Sequence, residues 1–402
     1  DGRLTLADGI FEITGDLTEL EVPSSVHAVV AARIDRLPLE ARDLTRDAAV
    51  IGFSFTLGGL AALREEEPDK VERQLSTLVR NEILELVRDP RSPEAGQYQW
   101  VQAVLREVVY GRIGKADRHE LHLKAARYYR ELDDPELAPV AAQHFVDALG
   151  ADAAADEAIE AELVTALRAA LGRSLDIHAH EQVVALAEAA LPVAPARLQA
   201  DLRERAAQAA VALVDVDTAL RHAEALIEAG EAGDVDLLHR GMSLFGAIGN
   251  GLQRGQDVVN RLTPHLEAHP DFEEHPALAK AAAELARAQM LSGLSSDAEA
   301  AELADRAIGA AEKLGVLEAV ADAMITRGTA FATSRNHQAM ALLRGAVELC
   351  RKHGFTGTML RGLINIGYAS QEADESIAAT EEAFAESKRV GDRNHAAFVA
   401  SN

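Results

Sequence analysis

The chain is 402 residues long, 48% hydrophobic but only 4% aromatic, and carries a formal charge of -25 at pH 7. That length exceeds one ordinary core and asks for several domains or an extended repeat array. Few aromatics beside abundant alanine, leucine, glutamate and arginine favour packed helices over sheets, and the negative charge argues against wide contact with nucleic acid.

The single cysteine, Cys350, excludes an internal disulfide framework and a multi-thiolate metal site, and fits a reducing cytoplasm. No apolar run approaches the ~18 residues that cross a bilayer, so no membrane partner is expected. The chain opens at Asp1 without methionine and stops at Asn402 inside a helical pattern, so neighbouring segments are expected at both ends.

From Asp8 to Leu20, Phe11 and Ile13 alternate with polar residues before Gly15-Asp16, which predicts a short hairpin, the tail of something upstream over residues 1–24. Pro23, Ser24 and Ser25 start a helix that carries Val26, Val29, Val30, Ile34 and Leu37. Pro38 opens a second helix, through Ile51; Gly52 to Phe55 break the period; a third helix is predicted over 57–64 and a fourth over 68–80. Ile83 to Val87 and Gln97 to Val101 then form two β-like runs around the turn-rich DPRSPEAG. Three or four helices and a two-strand hairpin within 25–132 make a winged helix-turn-helix arrangement with adjoining helices.

From about Val104 the pattern is helical and then repetitive, over 133–402. Ala307 to Gly315, Ala346 to Gly354 and Ala383 to Gly391 align at offsets of 39 and 37 residues, and Gly328 and Gly367 keep the 39-residue spacing. Such a period holds two helices whose apolar face only the next pair can cover, which predicts an α-α superhelix of tetratricopeptide-like pairs with a concave groove. The pairs are expected over 157–191, 197–230, 234–268, 276–314, 317–353 and 356–390.

The segments VPSSVHAVVAARIDRLPLEARDLTRDAAVIGFSFTLGGLAAL, WVQAVLREVVYGRI and RHELHLKAARYYREL resemble the region that follows the ATPase module in signal-transduction ATPases with numerous domains, especially bacterial adenylate/guanylate cyclase-like and LuxR-type regulators. The resemblance covers about Val22 to Leu149 and continues weakly through the repeats. It implies an effector domain, a P-loop ATPase, a winged helix and then repeats that sense a protein, peptide or small inducer in their groove. No GxxxxGK[ST] occurs, so no cofactor is expected in this chain, ATP or ADP being left to the parent protein, and the chain itself is expected not to be an enzyme. Related sequences carry a histidine, which can touch the β-phosphate of ADP, two residues after the aromatic matched by Trp100. Here Gln102 stands in that nucleotide-sensing position, able to donate a hydrogen bond but not to carry an imidazolium's charge.

Other candidates carry little chemistry. His119 and His122 stand i, i+3, not the i, i+4 of HExxH; His178 and His180 point to different sides of a helix; His269 and His275 flank Glu273 and Glu274 in what reads as a solvated acidic turn. No metal site is therefore expected. Gly249-Asn250-Gly251 reads as a helix-helix turn and Cys350 as a core residue, not a nucleophile. Between Arg106 and Arg130 seven basic residues face three acidic ones, and Arg106, Arg112, Lys115 and Arg118 are the expected domain-junction or partner surface. The helix over 68–80 offers Lys70, Arg73 and Arg80 but also Asp69 and Glu72, leaving two readings: an intramolecular clamp on an upstream ATPase, or a DNA-binding transcriptional regulator.

Overall fold

The computed structural model describes residues 4–7, 10–13, 24–89, 92, 95–150, 156–293, 295–392, 395–396 and 399–400. The chain divides into two compact units, Asp1–Asp156 and Glu157–Asn402.

The first unit opens with the antiparallel strands β1 (Leu4–Ala7) and β2 (Ile10–Ile13), paired from Leu4↔Ile13 to Ala7↔Ile10. Phe11 and Ile13 thus lie on the second strand of the hairpin and the reversal precedes them, because Leu4 and Leu6 already supply an alternating partner. The turn expected at Gly15-Asp16 falls outside the described residues.

Helices α1 (Ser24–Asp35) and α2 (Leu39–Ile51) follow, then strand β3 (Ser54–Phe55), α3 (Leu57–Arg64), α4 (Pro68–Arg80), β4 (Leu84–Leu86) and β5 (Tyr98–Trp100). The Thr56 hydroxyl accepts from the Gly59 N–H at 3.0 Å and starts α3, and Pro68 occupies the first turn of α4, where its missing N–H costs nothing. The strands form an antiparallel sheet in the order β3-β5-β4, with Phe55 opposite Tyr98 and Leu84 opposite Trp100. Leu44, Phe55, Leu60, Leu75, Leu78 and Trp100 fill the core between sheet and helices.

Helices α5 (Ala103–Gly111), α6 (Lys115–Glu131) and α7 (Ala138–Leu149) complete the unit. The repeat pattern suggests a boundary after Leu132, but the fold puts it after Asp156, because α7 packs along α6 and holds it through a buried His122–His144 bond of 2.9 Å.

The second unit is a run of helix pairs: α8 (Glu157–Asp176) with α9 (His180–Ala190), α10 (Ala196–Ala212) with α11 (Val216–Glu231), α12 (Val235–Gly251) with α13 (Gly255–Ala268), α14 (Pro276–Ser292) with α15 (Asp297–Leu314), α16 (Leu317–Ala330) with α17 (Asn336–His353), and α18 (Thr356–Ala369) with α19 (Ala373–Arg389). Each expected pair is present, within a few residues at its ends. The aligned glycines explain the repeat: Gly315, Gly354 and Gly391 adopt φ of 70°, 76° and 67°, the left-handed stop that ends a helix with little strain only when Cβ is absent. Gly328 lets two backbones approach, since a Cβ there would lie 3.2 Å from the Ala339 carbonyl, whereas at Gly367 the space is taken by a side chain, Thr380 Oγ1, 2.5 Å from where a Cβ would stand.

Helices α10, α12, α14, α16 and α18 pack on one another in succession, whereas successive second helices of the pairs stand apart, so the array curves toward its first helices. Polar bonds between pairs join residues about one repeat apart, such as Arg240–Glu204 at 36 residues and Arg261–Glu224 at 37. One bond spans 210 residues: His180 Nε2 lies 3.3 Å from the Val390 carbonyl, so the first and last pairs meet.

Candidate functional site

The curvature gathers side chains from five first helices around one groove of about 410 Å³. Glu204 comes from α10, Asp236, Arg240 and Ser243 from α12, Lys280 and Glu284 from α14, Glu318 and Asp322 from α16, and Thr358 from α18. Five carboxylates thus face two cations, Arg240 and Lys280. Arg240 is already held, its guanidinium forking onto Glu204 at 2.8 and 2.9 Å and reaching Asp201 at 2.5 Å. Those hydrogen bonds, Glu204 first, raise its pKa further and fix the charge.

The floor of the groove is an ionic chain built across four first helices. Asn250 Nδ2 on α12 donates to Glu284 Oε2 at 2.7 Å and to the Glu284 carbonyl at 2.8 Å. Arg287 lies 3.9 Å from the same carboxylate. On α18, Arg361 pairs with Asp322 of α16 at 2.6 Å, donates to the Asp322 carbonyl, and reaches Thr326 Oγ1 at 3.3 Å. Burial, aided by the nearby Asp322 charge, pushes the Glu284 carboxyl up to about 7. Burial also pulls Arg361 down to about 10, against the pull of Asp322. Three polar atoms of this ionic network are buried without a hydrogen-bond partner: Asn250 Oδ1, Asp322 Oδ2 and Arg361 Nε. Such atoms are costly in a core, and all three are withdrawn from solvent beneath the groove that Asp322 lines.

The residues singled out in the sequence lie in the first unit. Gln102 is the exposed residue before α5, and its side chain makes no capping bond. Arg106 Nε donates to the Ala49 carbonyl at 2.9 Å and lies over the Tyr110 ring at 5.6 Å; Arg118 Nε donates to the Ile113 carbonyl at 2.9 Å and covers the same ring at 5.1 Å. Arg112 forks onto Asp35 at 3.0 and 3.3 Å. Lys115 is exposed at the start of α6. Arg106 and Arg118 therefore meet on Tyr110, Arg112 turns to α1, and all three bind elements of their own unit. On α4, Lys70 pairs with Glu66 at 3.0 Å and Arg80 bonds Thr77.

Gly249-Asn250-Gly251 does not form the helix-helix turn expected of it: all three residues belong to the last turn of α12, the chain reverses over 252–254, and Asn250 is drawn into the groove network. Cys350 is fully buried, and burial pushes its thiol up to about 12, the opposite of an activated nucleophile.

The histidines are arranged otherwise than their spacing suggests. His119 bonds the Ala148 carbonyl at 3.0 Å, while His122 turns to His144. Glu273 pairs with Lys313, and His269 stacks edge-on against His239 with centroids 4.7 Å apart. Among the described residues, two groups could hold a metal ion: His239, His265 and His269, and His122, His144 and Asp147. Sequence reasoning missed both because each group is assembled from different elements. One signal was available: His239 and His275 stand 36 residues apart, one repeat, with His265 and His269 between them.

No family model and no curated protein matches the chain. Among solved structures it is similar to a signal-transduction ATPase with numerous domains carrying a tetratricopeptide repeat sensor, from Pyrococcus horikoshii, at 12% identity over 95% of this chain and 56% of that one, with a TM-score of 0.47. The chain therefore spans little more than half the length of that protein. It is also similar to a Rap protein complexed with competence and sporulation factor, at 10% identity over 93% and 96% of the two chains with a TM-score of 0.45. A circular tandem repeat protein with novel repeat topology matches at 16% identity over 94% and 86%, with a TM-score of 0.18. Among the described residues no helix is long and apolar enough to cross a membrane.

Proposed function

We propose that residues 157–402 are a sensor array whose groove binds a protein or peptide segment carrying basic side chains, in the non-catalytic regulatory part of a cytoplasmic multidomain signalling ATPase. The observation that carries this reading is the charge of the groove wall, where Glu204, Asp236, Glu284, Glu318 and Asp322 line the cavity beside only Arg240 and Lys280, and Arg240 is already held by Glu204. A lysine or arginine entering from a ligand meets an acidic wall; an acidic ligand meets repulsion.

For the first unit the proposal is a winged helix that packs on the ATPase module. In favour stand the order α2, β3, α3, α4, β4, β5 and the resemblance of residues 22–149 to the region after such modules. Binding in the groove shifts that module only if the ligand distinguishes its two states. Nucleotide sensing through Gln102 forms no part of the proposal, since an amide lacks the imidazolium charge.

Fluorescence anisotropy of the full chain with labelled basic and acidic peptides tests the groove. The basic peptide is expected to bind, to weaken as salt rises from about 0.05 M to about 0.5 M, and to lose about tenfold in affinity in Glu318→Lys, roughly one opposed charge pair. Equal binding of both peptides, or no response to Glu318→Lys, overturns the reading. Retention on duplex DNA at physiological salt would transfer the function to α4 and the sheet.

A further inference from the structure

His239 on α12, His265 on α13 and His269 just beyond α13 bring three imidazoles from three places in the chain to one point. One nitrogen from each lies within 4.8 Å of the others. The ring centroids stand 5.1 Å apart for His239 and His265, 4.7 Å for His239 and His269, and 5.2 Å for His265 and His269, so no member is an outlier. His239 Nδ1 and His265 Nε2 are 3.2 Å apart. Two imidazole nitrogens bound at about 2.0–2.1 Å to a tetrahedral ion are separated by roughly 3.3 Å, so this edge is already set.

We propose that His239, His265 and His269 bind a divalent transition ion, Zn²⁺ in the first place, as three protein ligands with a fourth position left to water or an added donor. Three nitrogen ligands in a largely buried setting suit zinc among the borderline ions and suit magnesium or calcium poorly, since those require oxygen. The imidazoles are ready for the ion in one more respect. Burial lowers the pKa of His239 and brings that of His265 to about 4, which favours the neutral imidazole, the form that a metal takes as ligand.

A fourth histidine is adjacent but committed elsewhere. His275, with its ring 5.3 Å from that of His239, accepts the Ala277 N–H on Nδ1 at 3.1 Å. Its other nitrogen therefore carries the proton and donates to Asp236 at 2.8 Å. The proposal thus stops at three ligands. It also prefers this group to the one in the first unit, where both nitrogens of His122 are engaged, by Tyr110 at 2.8 Å and by His144 at 2.9 Å, so that loading there would break two bonds at His122 against the one between His239 and His265 here. The consequence is structural: the ion would tie α12 to α13 and to the segment entering α14, at the edge of the groove that Asp236 and His275 line.

The test is a titration of the tag-free full chain, stripped with chelator, with Zn²⁺ followed by calorimetry near neutral pH. One ion per chain is expected, with a rise in melting temperature on loading, and Co²⁺ is expected to give the visible bands of a low-coordinate nitrogen site. His265→Gln is expected to weaken zinc by at least about a hundredfold, and so is His269→Ala, which lies outside the helices and spares the fold, with unchanged circular dichroism in both. His144→Gln is expected to bind as the parent does. Absence of saturable binding, binding unaltered in His269→Ala, or binding lost in His144→Gln overturns the assignment.

Discussion

Arg361 and Asp322 stand 39 residues apart in sequence, one repeat, and their side chains meet at 2.6 Å between α18 and α16 with the residues only 7% and 9% exposed. A charge pair withdrawn from water this far is stable only while both members remain, because the desolvation of each is offset by the other.

Asp322→Ala is therefore expected to destabilise the second unit by about 3–5 kcal/mol, since it leaves a buried guanidinium unpaired. The double variant Asp322→Leu/Arg361→Met should recover most of that loss. Urea unfolding followed by circular dichroism measures both; a double variant no better than the single one would show that the pair is not the source.

Glu284 gives the second unit a pH dependence of definite sign. Its folded carboxyl titrates at about 7 against an ordinary 4.5, chiefly through burial. A carboxyl raised in this way contributes stability that is complete below 4.5 and is lost as pH rises through about 7. Buried His239 and His265 act in the opposite sense within the same unit, so the reading is a difference: the urea midpoint of the parent relative to that of Glu284→Gln, which still accepts from Asn250, should fall between those values.

The first unit should respond in the opposite sense. Burial lowers His122 to about 3 and His144 to about 4, from 6.5. Their contribution is complete above 6.5 and is lost as pH drops through those lower values, while the unfolded chain gains protons. Trp100 is the sole tryptophan and is fully buried in this unit, so its fluorescence in urea reads this loss apart from the repeats.

Two glycine substitutions separate packing from propensity. A Cβ on Gly241 would lie 2.8 Å from the Ile227 backbone nitrogen, at the crossing of α12 and α11, whereas one on Gly309 in α15 would meet nothing within 4 Å. Gly241→Ala is expected to cost about 1–3 kcal/mol from overpacking, and Gly309→Ala to stabilise by about 0.5–1 kcal/mol from helix propensity. Thermal melts of the two variants should move in opposite directions.

The helix pairs were legible because each carries its own local marks: an apolar stripe, a proline such as Pro276 at the start, a glycine such as Gly315 at the stop. Strand β3 was not, because Ser54 and Phe55 are extended through pairing with Gln99 and Tyr98, some 43 residues away, a pairing no local pattern announces. The groove was predicted as a shape but not as chemistry. Asp322 and Arg361 sit within apolar runs at matching places of adjacent repeats, and that pairing of opposite charges at the repeat spacing was the signal to follow. The histidine triad lay hidden for a related reason: the sequence reading grouped His269 with its neighbours Glu273 and Glu274, whereas the fold turns it toward His239 on the preceding helix.

The bond between His180 and the Val390 carbonyl bears on what can get in. With its extremities touching, the second unit is a hoop whose inner wall bears the acids. A bond between the two ends limits how far that inner wall can spread, so His180→Ala should let the second unit open and raise its radius of gyration in solution scattering.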